Sequence, residues 1–156
     1  MTDATPPADD LLLVTMKVGD AYCGVPVMDV RDVLDTPVIH RVPLAPPEVP
    51  GSINLRGRIV TAIDLRGRLG LPPRAPGARC MCVIVERQAG VIGEPYALLV
   101  DEIGDVLQLP VSEYEPNPIT LAPAWRALCR GLYRREDGLL ILLDVEAVLE
   151  MGEMAA

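Results

Sequence analysis

Apolar and polar residues alternate with a period of two in this chain, and glycine or proline breaks the alternation every few residues. That pattern predicts a mainly β fold of short strands arranged as small barrels. Three observations carry the prediction. Residues 53–66 read INLRGRIVTAIDLR, with Ile53, Leu55, Ile59, Ile63 and Leu65 at odd positions and Asn54, Arg56, Arg58, Asp64 and Arg66 at even ones. Such a pattern places two residue classes on opposite faces of a strand. Sixteen prolines and thirteen glycines in 156 residues leave few stretches free for a long helix. The hydrophobic fraction is 50%, yet only 3% of residues are aromatic and none is Phe, so the core must be aliphatic. The length suits one domain or two small barrels sharing a core, and a chain of this size buries roughly 68–70% of its unfolded surface without a covalent staple.

Taken in order, residues 1–10 (MTDATPPADD) form a polar tail. LLLVTMKV and AYCGVPV flank Gly19-Asp20 and read as a hairpin. Residues 28–43 suggest a helical turn leading into a strand, and the four prolines of 42–51 mark a stiff loop. The opening alternation then makes two strands that turn at Arg56-Gly57, where Gly57 can take positive φ at little cost. Its odd positions, Ile53, Leu55, Ile59 and Ile63, are expected in the core, with Arg56 outward. RCMCVIVER (79–87) and YALLVDEIGDVLQL (96–109) are strands, the second bending or bulging near Gly104. After a proline-broken connection, LAPAWRALC (121–129) suits a short helix. GLYRR and LLILLD flank Glu136-Asp137-Gly138 as a further hairpin, and Asp144 is placed to N-cap a last helix with Val145, Val148, Leu149 and Met151 as its apolar stripe. No repeat of 20–50 residues is evident, and the ten-residue LRGR echo is too short to be a structural unit.

Few residues invite chemistry. The four cysteines, Cys23, Cys80, Cys82 and Cys129, form no CxxC, and the single histidine, His40, cannot complete a zinc site by spacing. Buried free thiols and an exposed or hydrogen-bonded strand histidine are expected, with no metal and no cofactor. Phosphate-loop and nucleophile-elbow motifs are absent. The ten leading residues lack the basic region of a signal peptide, and no apolar run approaches the roughly 20 residues of a membrane span, so a cytoplasmic location is expected. A net charge of −8 opposes nucleic acid and membrane surfaces. Against that charge stand four arginines in 56–68. Arg58, Arg66 and Arg68 read as solvated surface charge, whereas Arg56, at a rigid turn, could anchor a protein contact. A β-barrel enzyme and a small nucleic-acid module using the LRGR arginines remain open as alternatives.

GSINLRGRIVTAIDLRGRLGLP (51–72) resembles the signature of the CheW-like domain family, the coupling domain of bacterial chemotaxis. Gly51, Asn54, Leu55, Arg56, Gly57, Ile59, Val60, Asp64, Leu65 and Arg66 stand at its positions. VGDAYCGVPVMDVRDVL (18–34), LLVDEIGDVLQL (98–109) and GLYRREDGLLILLDVEAVL (131–149) are similar to further segments of the family in the same order. The resemblance covers residues 11–150, with 151–156 left as a second tail. It implies two five-stranded SH3-like barrels around a shared apolar core, with short helices including one at the C-terminus. It further implies a scaffold without enzymatic activity that joins the histidine kinase CheA, through that kinase's regulatory domain, to the cytoplasmic tips of chemoreceptors, in arrays at the inner membrane. By position, Val30, Asp32 and Arg56 would make partner contacts, and Gly51 and Gly57 would be structural turn residues.

Overall fold

A computed structural model describes residues 10–149 except 36, 45, 47–48, 76, 87–93, 117–121 and 137. The expected tails fall outside this range save for Asp10, whose carboxylate accepts a 3.0 Å hydrogen bond from the Val111 N–H. The QAG–VIG part of the connection before Glu94, and Met151 of the expected stripe, also lie outside it.

Strand formers and turn residues produce twelve strands, in chain order β1 (Leu11–Val18), β2 (Ala21–Pro26), β3 (Val30–Asp35), β4 (His40–Arg41), β5 (Gly51–Leu55), β6 (Arg58–Asp64), β7 (Met81–Glu86), β8 (Pro95–Val100), β9 (Glu102–Leu109), β10 (Tyr114–Glu115), β11 (Cys129–Arg135) and β12 (Gly138–Leu143). Among the described residues helix is confined to α1 (Leu65–Arg68), α2 (Pro123–Leu128), α3 (residues 145–149) and two 3₁₀ turns, Val27–Asp29 and Val111–Glu113. Asp144 caps α3 as expected, its Oδ1 accepting from the Ala147 N–H at 3.3 Å. Asp64 does the same for α1 through the Arg66 N–H at 3.0 Å.

The strands form two sheets, ordered β10-β11-β12-β2-β1-β9 and β4-β5-β6-β8-β7-β3. In each, five strands of five residues or more carry the sheet and a two-residue strand is added at one edge. The resemblance implies two five-stranded barrels, and each sheet answers to one of them; among the described residues neither ladder closes on itself, so each barrel is a curled, open sheet. The two sheets obey one plan. β9–β12 followed by β1–β2 occupy the places that β3–β8 occupy in the other, and the single parallel pairing of each sheet, β12 with β2 and β6 with β8, falls at the same point. The repeat escaped the sequence reading because one copy is split between the two ends of the chain. Its trace is short: Val30-Arg31-Asp32-Val33-Leu34 on β3 matches Ile103-Gly104-Asp105-Val106-Leu107 on β9, and both edge strands bulge there.

Three apolar clusters hold this arrangement. The largest lies between the sheets, where Val14, Met16, Cys23 and Val25 from one meet Ile63, Val83, Leu98 and Val100 from the other, with Leu128, Val148 and Leu149 of α2 and α3. A smaller cluster fills the concave side of each curled sheet: Ile53, Val60, Ala62, Ile84 and Leu99 in one, Leu13, Leu109, Tyr133, Leu140 and Leu142 in the other. Cys23, Cys82 and Cys129 are buried as free thiols, while Cys80 is half-buried. Burial pushes the Cys23 and Cys82 thiols up to about 12 and Cys129 to about 11.

Two expectations for the β5–β6 hairpin fail for one geometrical reason each. Ile59 was placed in the core and is 66% exposed. A loop of two residues separates β5 from β6, pairing Ile53 with Val60 and Asn54 with Ile59, so the inward positions change from odd to even across the turn. Gly51, expected at a turn, lies within β5, and a Cβ there would collide with the His40 carbonyl oxygen of β4. Its lack of a side chain serves close approach of two strands.

Arg66 and Arg68 are not solvated. Alternation stops at Asp64, where α1 begins, and the helical turn swings both side chains inward. Arg66 Nε and Nη2 donate to the two carboxylate oxygens of Asp101, each at 2.8 Å, and Nη1 donates to the Pro72 carbonyl. Asp101 stands where the chain crosses from β8 to β9, and its Oδ2 also accepts from the Gly19 N–H of the β1–β2 turn at 2.7 Å. Arg74 adds a charge 2.9 Å from Asp101 Oδ1 while donating to Asp64. This group ties one sheet to the other. Arg68 Nη2 reaches the Ala147 carbonyl at 3.4 Å, joining α1 to α3.

Partial burial pushes the Asp101 carboxyl up, but hydrogen bonds from Arg66 and Gly19, with the charges of Arg74 and Arg66, outweigh it and hold it below the usual carboxylate range. A group so depressed stabilises the fold above its unfolded pKa of about 3.9, and that contribution is lost as pH falls through the lower folded value. Asp101→Asn should therefore cost about 1.5–3 kcal/mol near neutral pH, the scale of hydrogen bonds to charged groups, in urea unfolding followed by the fluorescence of Trp125. The gap from the unsubstituted chain should close as the pH is lowered below about 4. A gap of equal size in acid and at neutrality would contradict the clamp.

Candidate functional site

The residues assigned to partner contact meet at the seam of the β4–β3 sheet. β3 is its outer strand, and the bulge at Arg31 lets Val30 pair with Val85 and Asp32 with Ile84. Val30 is half-buried and packs against the central core, and Asp32 is turned toward the seam. Opposite stands the β5–β6 turn. Arg56 (φ 53°) and Gly57 (φ 86°) both lie in the left-handed region, the combination of a type I′ hairpin turn, whose twist matches that of paired strands. Asn54 Oδ1 accepts from the Gly57 N–H at 2.8 Å and steadies the turn. From it, Arg56 Nη2 donates to Asp32 Oδ2 at 3.0 Å, while Asp32 Oδ1 accepts from the Val33 N–H at 2.8 Å.

This pair spans a gap that the hydrogen-bond ladder leaves open. Its energetic return is small. The Arg56 side chain is 82% exposed, and an exposed ion pair is worth about 0–1 kcal/mol. Holding a residue with a Cβ at positive φ costs about 1–2 kcal/mol. The backbone strain belongs to the hairpin turn, but the solvated side chain adds little stability and leaves most of its donors open to a partner. Exposed apolar side chains lie on the same elements: Met28 in the first 3₁₀ turn, Val33 on β3 and Ile59 on β6. The arrangement can hold an apolar partner surface and orient it with a planar guanidinium fork.

Neither alternative finds its chemistry here. A cleft of about 510 Å³ opens elsewhere, at the concave mouth of the same sheet, lined by Ile39, Arg41, Asp64, Arg66, Arg74 and Leu99 among others. Its Asp64, Arg66 and Arg74 are engaged in the ion pairs that clamp the sheets. His40 is exposed on the two-residue edge strand β4. Among the described residues no three His, Cys, Asp or Glu side chains are grouped to hold a metal ion, and no helix is long and apolar enough to cross a membrane. The LRGR echo does not make a basic patch, because Arg66 belongs to the interior clamp and only Arg56 and Arg58 face solvent. Asp101 and Arg74 were missed in the sequence. The signal for the first was available: a carboxylate directly after the buried run ALLV needs a partner.

Comparison with known proteins gives a consistent picture. The family model of the CheW-like domain matches residues 12–153. A probable chemotaxis protein CheW of Rhizobium etli is 30% identical over 147 residues, 94% of this chain and 92% of that protein. The chemotaxis protein CheW of Bacillus subtilis is 30% identical over 139 residues, 89% of this chain and 86% of that one. Among solved structures, the crystal structure of the scaffolding protein TtCheW from Thermoanaerobacter tengcongensis has a TM-score of 0.77 at 26% identity, covering 94% of both chains.

A Cβ added at Gly57 would meet nothing within 4 Å, so any cost of substitution there is conformational alone. Gly57→Val should destabilise by about 1–2 kcal/mol and Gly57→Asn by much less, since asparagine tolerates the left-handed region. Equal melting temperatures for the two variants would count against the turn as described.

Proposed function

The chain belongs to the CheW-like domain family, and on that premise we propose that it couples chemoreceptors to the histidine kinase CheA through the surface bearing Val30, Asp32 and Arg56. Members of this family are scaffolds rather than enzymes, and this chain is a chemotaxis adapter of that kind. The observation that carries the finer reading is the Arg56–Asp32 pair: an exposed, conformationally costly contact at the open seam of a sheet, flanked by uncovered apolar side chains.

In this reading the protein works in the cytoplasm at receptor arrays and catalyses nothing. A receptor's helical tip lies against one apolar surface, and the kinase's regulatory domain meets another. Because both sheets are locked through one core and the Asp101 clamp, a change in receptor geometry reaches the kinase as differential contact with its two states. Each contact can be weak, since an array binds at many points at once. Val30 would set the position of β3 from beneath, Asp32 would aim the guanidinium, and Arg56 would make the contact itself.

Arg56→Ala should weaken binding to the kinase regulatory domain or to the receptor tip by about 1 kcal/mol or more, near fivefold, measured by titration calorimetry. Its unfolding free energy should stay within about 1 kcal/mol of that of the unsubstituted chain, as expected for an exposed pair. Unchanged affinity for both partners would remove Arg56 from the surface.

A further inference from the structure

The cleft of about 510 Å³ at the concave mouth of the β4–β3 sheet has a size within the roughly 300–1,000 Å³ of small-molecule sites. The plan shared by the two sheets shows why it is open. β4 takes the place of β10, so the β4–β5 connection answers to the β10–β11 connection. The latter carries α2, whose Leu128 is buried in the central core. The former reads VPLAPPEVP (42–50), too rich in proline to form such a helix. Hydrogen bonds brace it instead, from the Val42 N–H to the Pro50 carbonyl at 3.1 Å and from the Val49 N–H to the Pro46 carbonyl at 3.0 Å. Leu44 stands fully exposed at the rim, at φ 63°. Pro73 and Ala75, from a second proline-rich segment, continue the wall. A cleft between stiff segments needs little ordering when a ligand enters.

The wall decides what class of molecule fits. Ile39, Val42, Leu44, Leu71 and Leu99 make it aliphatic, and among the described residues no aromatic ring lines it. A planar base or an aromatic acid would find no ring to stack on. The polar groups are unbalanced. The one lining carboxylate among the described residues, Asp64, has both oxygens occupied, Oδ1 by the Arg66 N–H and Oδ2 by Arg74 Nη1. Arg66 directs its side-chain donors to Asp101 and the Pro72 carbonyl. Arg74 Nη2, by contrast, is buried without a hydrogen-bond acceptor, and Arg41 is exposed and forms no ion pair among the described residues. Burial pushes the Cys80 thiol up while the charges of Arg74 and Arg41 pull it down, which places both cations within reach of the same wall residue. Donors are left over and acceptors are not, so the missing group is an anion, and Arg41 is the one cation free to meet it. We propose that this cleft binds an aliphatic monocarboxylate, its hydrocarbon chain against Leu44, Leu71 and Leu99 and its carboxylate on Arg41. Arg66 and Arg74 belong both to this wall and to the clamp on Asp101, so an occupant binds the folded state and reinforces the contact between the sheets. Binding without turnover is implied, because the lining acid is already paired. The inference does not rest on the coupling reading, since none of Val30, Asp32 and Arg56 lines the cleft.

Octanoate is a suitable probe, followed on the full chain by titration calorimetry and by amide chemical-shift mapping. It should bind saturably at one site per chain, shift the amides of Ile39, Arg41, Leu44 and Leu71, and raise the melting temperature as its concentration rises. Octyltrimethylammonium has the same chain with the opposite charge, and acetate has the same head without the chain. Each should bind at least about tenfold more weakly. Arg41→Gln should weaken octanoate about fivefold, the upper range for an exposed ion pair, and Leu44→Ser should weaken it as well. Both residues are exposed, so both variants should stay folded, as circular dichroism will check. Neither belongs to the surface assigned to kinase and receptor, so failure here would leave that assignment standing. Octanoate that does not saturate, an ammonium that binds as tightly, shifts centred on the seam of Arg56, or an Arg41→Gln chain with unchanged affinity would each overturn the proposal.

Discussion

Everything in this molecule depends on apolar contact between two curled sheets. Val14, Met16, Cys23 and Val25 on one side and Ile63, Val83, Leu98 and Val100 on the other are all but excluded from water. Their burial is the dominant favourable term in holding the sheets together. The chain path makes this contact obligatory. One sheet takes β1 and β2 from the N-terminal end and β9 to β12 from the C-terminal end, so that sheet cannot form from a contiguous stretch of chain. Apolar packing has no direction of its own, however. Direction comes from Asp101, which holds the Gly19 N–H of one sheet and the Arg66 guanidinium of the other at the point where the chain crosses over.

From that constraint follows the character of the surface. An open seam in each sheet exposes a bulged edge strand opposite a hairpin turn, and the seam bearing Arg56 is the one we propose meets other proteins. Sheet edges are normally protected from such contact. Among the described residues one seam is bridged by a single solvated ion pair and the other by none, which keeps both accessible while the interior stays fixed. A rigid body with open sheet edges suits a scaffold, since geometry imposed at one contact persists at the next.

Much of the strand order was legible in the sequence because alternation and turn residues agree. Gly19-Asp20, Arg56-Gly57 and the 136–138 segment each sit between runs of strand formers, and all three are hairpins. The candidate surface was found by family resemblance, and the backbone adds the reason Arg56 is unusual, its positive φ. What remained hidden depends on three-dimensional placement. Ile59 faces out because a two-residue turn reverses the parity of the inward positions. Arg66 looks like its neighbours in a strand pattern, and only the onset of α1 at Leu65 turns it inward to Asp101. The duplication was masked because one copy is divided between the chain's two ends, leaving five residues on β3 and β9 as its most visible trace.

The central claim is that this chain transmits receptor state to a kinase by contact alone. Autophosphorylation of CheA, followed with receptor-bearing membranes in the presence and absence of this protein, tests that claim most directly. Receptor control of the kinase should arise only when the protein is added, and should saturate as receptor and kinase are filled. A rate that is the same with and without it, under conditions where all three components are folded, would contradict the account.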